Sequence, residues 1–104
     1  MKLTEALTLE RIQEISLPSN YKYGEAIYRR GAVKVIAKEE TRIEAWVGGL
    51  DGSVTEGGGS RRRTTLEVGG GELEWHCTGN PKSHQIFCKH CVALALSIIM
   101  SPWI

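Results

Sequence analysis

The sequence predicts an α+β domain: N-terminal helices, a small antiparallel β-sheet, then a loop rich in cysteine and histidine that opens into a C-terminal helix. Two observations carry that expectation. Apolar residues are spaced as in helices up to about residue 30, and from Ala32 to Cys77 they alternate with a period of two. All three cysteines and all three histidines then fall in one stretch, Trp75 to Val92 (WHCTGNPKSHQIFCKHCV).

The elements follow in order. Leu3, Ala6, Leu7, Leu9, Ile12 and Ile15 recur at near-helical spacing over residues 3–16, and Pro18 closes that segment. Ser19 and Asn20 offer an N-cap for a second helix running to about Arg30. Val33, Val35 and Ala37, then Ile43, Ala45 and Val47, flank the polar turn Glu39-Glu40-Thr41 and read as a β-hairpin. A glycine-rich connection spans Gly48 to Ser60. Arg61 to Val68 reads as a third strand, Gly69-Gly70-Gly71 as a turn and Glu72 to Cys77 as a fourth strand. Cys88 to Met100 is a helix apolar on nearly every side, which must be buried or meet a partner.

At 104 residues the chain is long enough for one domain, 1–104, with a helical part (1–31), a sheet (32–77) and a loop and helix (77–100). A hydrophobic fraction of 41% and a charged fraction of 24% are those of a folded globular chain. The formal charge of +1 says little about partners; a protein that coats nucleic acid is usually more basic, so any such contact must rest on a local patch. An odd, clustered set of cysteines argues against a disulfide framework and for thiolates in a reducing compartment. The N-terminal MKLTEALTLERIQ is too polar for a signal peptide. The apolar run Cys91 to Met100 is far shorter than the roughly 20 residues a bilayer needs. The expectation is a cytoplasmic protein with no membrane contact and no small-molecule substrate.

Thiolate sulfur and imidazole nitrogen are the usual ligands of zinc, and a small domain has few other reasons to crowd them together. Trp75-x-Cys77-Thr78, the loop that follows, and Cys88-Lys89-His90 opening an apolar helix resemble the SWIM zinc finger, whose pattern is Cys-x-Cys, a variable loop and Cys-x-His. The upstream segment GEAIYRRGAV (24–33) is similar to the one that precedes the finger in many prokaryotic SWIM proteins, so the resemblance covers roughly residues 15 to 97. It implies zinc held by Cys77, Cys88 and His90 in a zinc-binding loop, with Gly79 standing where the family has its second cysteine.

Three donors besides His76 are open for the fourth position: His84 in the connecting loop, Cys91 one helical turn beyond Cys88, and water. His84 is the preferred one, giving the set Cys77, His84, Cys88 and His90. His76 is the poorest, because neighbouring residues in a strand point to opposite faces. A nucleophilic Cys88–His90 pair is the catalytic alternative. It lacks an orienting acid, and residues two apart at a helix start diverge, so no catalysis is expected.

The resemblance implies a module that binds DNA or contacts a DNA-acting protein. Arg61, Arg62 and Arg63 after the glycine tract, with Lys82 and Lys89 beside the metal loop, are the nominated phosphate contacts; Arg29 and Arg30 are further candidates. The competing reading is an accessory partner of a recombination, repair or transposition factor. It would dock through the apolar C-terminal helix and the Trp103-Ile104 end.

Overall fold

The computed structural model of the chain describes residues 2–47, 62–77 and 87–100. Four helices and four strands appear in the order α1 (Leu3–Ala6), α2 (Leu9–Ile15), α3 (Pro18–Arg29), β1 (Val33–Lys38), β2 (Arg42–Val47), β3 (Arg62–Gly69), β4 (Glu72–Cys77) and α4 (Lys89–Met100). The α+β class is as expected from the sequence. The glycine-rich connection, the metal loop and the Trp103-Ile104 end lie outside the described residues.

The first helical segment is two helices rather than one. Leu7 and Thr8 are extended, and the Thr8 hydroxyl accepts the Arg11 amide at 3.1 Å, capping a new helix at its own N-terminus. A threonine that satisfies an orphan amide competes with helix continuation, and here it wins. Leu3, Leu7 and Ile12 stay buried across the break. Pro18 likewise starts a helix instead of only ending one: it occupies the first turn of α3, where a fixed φ and a missing N–H cost nothing, and Ser19 and Asn20 fall inside that helix. The C-terminus of α3 closes as a Schellman motif, with the Gly31 amide on the Tyr28 carbonyl at 3.0 Å and the Ala32 amide on the Ile27 carbonyl at 3.3 Å. Ile27 and Ala32 are both fully buried.

The strands form one antiparallel meander in the order β1-β2-β3-β4. Gly70 and Gly71, at φ 61° and 82°, make the two-residue β3–β4 turn, whose left-handed conformation suits hairpin twist and disfavours side chains. A bulge at Ile36 interrupts the β1–β2 register. One face of the sheet buries Ile43, Ala45, Val47, Thr64, Leu66, Val68, Leu73 and Cys77. The other carries Glu44, Arg63, Thr65, Glu67 and His76, which border a cavity with Arg42.

Helix α4 lies on the apolar face and α3 packs along α4 on its far side. Residues 91–96 and Ile98 are buried, which answers why this helix is apolar all round: sheet and α3 cover it from two sides. The two helices approach closely because Gly24 has no side chain. A Cβ there would overlap Val92 and lie 2.7 Å from the Lys89 carbonyl. The docking helix expected for a protein partner is therefore spent on the domain's own core. Among the described residues no helix is long and apolar enough to cross a membrane.

Candidate metal centre

Two chain ends meet beneath the sheet. Strand β4 finishes at Cys77, whose side chain shares the buried face with Thr64, its cross-strand partner on β3. The chain re-enters at Phe87, and Cys88 immediately precedes the first residue of α4. Trp75, two residues before Cys77 on the same face, meets Phe87 edge-on with centroids 5.1 Å apart. That contact ties the strand end to the helix start. The Trp75 Nε1, buried, has no hydrogen-bond partner among the described residues.

The donor atoms of Cys77, Cys88 and His90 all lie within 4.8 Å of one another. His90 presents Nδ1 to both sulfurs, 3.6 Å from Cys77 and 3.9 Å from Cys88. A tetrahedral zinc with bonds of about 2.3 Å to sulfur and about 2.0 Å to nitrogen has edges of roughly 3.5–3.8 Å, so the trio fits that ion with small adjustments. Two thiolates and an imidazole suit a soft or borderline ion and disfavour magnesium or calcium. The group is a candidate metal centre with three donors from two elements.

Electrostatics favours a thiolate at the helix start. Hydrogen bonding from Cys77 and then Cys91, with smaller help from His90 and the Cys91 backbone amide, holds the Cys88 thiol well below the usual thiol range against the opposing effect of burial. Cys91 moves the opposite way: its proton is retained by the hydrogen bond to Cys88, by burial and by the nearby negative sulfurs. The buried Thr64 hydroxyl lies 3.7 Å from the Cys77 sulfur and donates to it.

The expected site residues divide accordingly. Cys77, Cys88 and His90 come together. Cys91 touches Cys88 at 3.7 Å but stands outside the converging trio, which weakens its case as fourth ligand. His76 sits on the opposite face of the sheet, as strand alternation requires. His84, Gly79, Arg61, Lys82 and the side chain of Arg62 lie outside the described residues.

The nominated phosphate contacts do not form one patch where they are described. Arg63 is on the open face, bound to Glu44 at 2.8 Å, whereas Lys89 opens α4, which covers the other face. Thr64 and Phe87 were not read from the sequence. Thr64 could have been found only through the β3–β4 register. No family model, curated protein or solved structure matches the chain.

Proposed function

We propose that the chain is a SWIM-type module in which one zinc ion, held by Cys77, Cys88 and His90, staples the end of β4 to the start of α4, and which acts by contacting DNA rather than by catalysis. The convergence of three soft donors from separated elements carries this reading. Bound zinc would contribute folding energy to a domain with a modest core. His84 remains the preferred fourth donor, with water as the other choice.

The DNA half of the reading rests on the face of the sheet that the helices leave open. Cross-strand register sets Lys34 beside Trp46 and Trp46 beside Arg63, an aromatic side chain between two cations. Bases stack on aromatic faces and phosphates follow cations, so a single strand suits such a row. Glu44 holds Arg63 and tempers the charge, so the affinity expected is modest and falls steeply with salt. The burial of α4 removes one of the two reasons to prefer a protein partner; the other, the Trp103-Ile104 end, lies outside the described residues.

Native mass spectrometry of wild type and Cys88→Ala, followed by anisotropy of a labelled oligonucleotide at rising salt, tests both halves. One zinc per wild-type chain and none in the variant supports the staple. Wild type without zinc sinks it. A zinc-loaded protein that fails to bind single-stranded DNA even at low salt removes the DNA half and leaves the staple standing.

A further inference from the structure

Cys91 is a thiol that the proposed metal centre does not use. It is fully buried, its sulfur lies 3.7 Å from that of Cys88, and it completes a Cys-x-x-Cys sequence with Lys89 and His90 between. Cys88 directly precedes α4 and Cys91 lies in its first turn, with the Val92 amide on the Cys88 carbonyl at 3.0 Å. Residues three apart in a helical turn fall within the Cα reach of a disulfide, roughly 4.4–6.8 Å, and bond formation asks only for side-chain rotation that closes the sulfurs to about 2.05 Å. Cys88 is 7% exposed and Cys91 not at all, so Cys88 is the more open of the two to an oxidant.

We propose that Cys88 and Cys91 form a reversible disulfide whose closure withdraws Cys88 from the metal centre. The pairing stands on the two sulfurs alone; the release of metal rests on the zinc reading above. With a hydroperoxide as oxidant, the Cys88 sulfur attacks the terminal peroxide oxygen, the O–O bond breaks and an alcohol leaves after taking a proton. Cys88 is then a sulfenic acid. The Cys91 sulfur attacks it, the S–S bond forms and water departs with the sulfenic hydroxyl and the thiol proton. Two electrons have passed from the sulfurs to the peroxide, and a dithiol reductant returns them.

Cys77 is the competing partner, since it too lies near Cys88. It arrives from a strand across the site, however, whereas Cys91 is fixed to Cys88 by the helical turn they share. A disulfide sulfur is a poor zinc ligand, so closure would take one of the two thiolates from the ion.

The test treats the full zinc-loaded chain with a small excess of hydrogen peroxide, alkylates the remaining thiols and maps the peptides, while a chromogenic chelator reports free zinc. The expected result is a Cys88–Cys91 link with loss of two hydrogens, an alkylated Cys77, zinc release in parallel, and recovery of both on adding dithiothreitol. Cys91→Ser, which keeps a hydroxyl beside Cys88 and cannot form a disulfide, is expected still to take up zinc before oxidation and to lose its reversible release. A Cys77–Cys88 link, or Cys88 driven to sulfinic acid with Cys91 still alkylated, overturns the proposal. If the wild type binds no zinc, the staple fails while the peptide map still decides the disulfide.

Discussion

Trp75 and Phe87 meet at an interplanar angle of 86° with ring centroids 5.1 Å apart, joining the strand that delivers Cys77 to the turn that delivers Cys88. An edge-to-face pair is worth about 0.5–1.5 kcal/mol beyond the area it buries. Phe87 is also the largest of the fully buried side chains among the described residues, so this contact is a piece of the core as well as a joint between the strand end and the helix start.

Phe87→Ala is therefore expected to destabilise the fold by about 3–5 kcal/mol, as loss of a buried aromatic does. Phe87→Leu should cost less and keep the site in place. A double-mutant cycle of Phe87→Leu with Trp75→Leu, followed by urea denaturation, should return a coupling of about 0.5–1.5 kcal/mol. Strict additivity would mean that the rings touch without supporting one another.

Helix α4 is buried because α3 covers it, and this decides a question the sequence left open. Gly24 carries the answer, yet a missing side chain leaves no mark on apolar periodicity. Gly24→Ala puts a Cβ into Val92 and against the Lys89 carbonyl, and overpacking of this kind costs typically 1–3 kcal/mol. Val92→Ala removes the Cγ1 contact but keeps the Val92 Cβ, and the Lys89 carbonyl stays in place, so the double variant should recover only a small part of the loss. Thermal denaturation of the three proteins checks this. Equal melting temperatures for wild type and Gly24→Ala would show that the helices do not approach as described.

The strands were legible because their evidence is local: alternation in β1 and β2, turn glycines between β3 and β4, and a fourth strand ending on Cys77 where its pattern ends. The break at Leu7-Thr8 was not, since the same apolar spacing suits one helix or two and only the Thr8 cap separates them. In the site, Cys77, Cys88 and His90 stood out by residue type and spacing. Thr64 did not, because thirteen positions separate it from Cys77 and only strand register brings its hydroxyl to that sulfur. Cys91 was read as a possible ligand because helical spacing puts it beside Cys88; it does touch Cys88 at 3.7 Å but stands outside the trio.

Glu44 sets a pH test on the open face. It bonds Arg63 at 2.8 Å and Arg42 at 3.3 Å, and the Arg63 hydrogen bond chiefly holds its carboxyl below the ordinary 4.5 against a smaller upward push from burial. A carboxylate with a depressed folded value stabilises the fold above its unfolded value and loses that contribution as pH falls through the folded one. The melting-temperature gap between wild type and Glu44→Gln should be full at neutral pH and shrink only in acid, below the ordinary glutamate range. A gap that does not change with pH would assign Glu44 a packing role instead of an ionic one.

Thr64 offers the sharpest separation of metal affinity from fold. Its hydroxyl donates to the Cys77 sulfur at 3.7 Å from a fully buried position, the place of a second layer around a metal ligand. Thr64→Val keeps the shape and removes the donor, which leaves the thiolate with one hydrogen bond fewer and raises its proton affinity. Removing a partner of this kind weakens metal binding by roughly 10–100-fold. Thr64→Ser keeps the donor and should bind zinc close to the wild-type level. Competition with a chromogenic chelator measures the affinities, and because the thiolates and imidazole must shed protons to bind, the loss in Thr64→Val should grow as pH is lowered. If instead Thr64→Val and Thr64→Ser weaken binding equally, the methyl and its packing matter at this position and the hydroxyl does not.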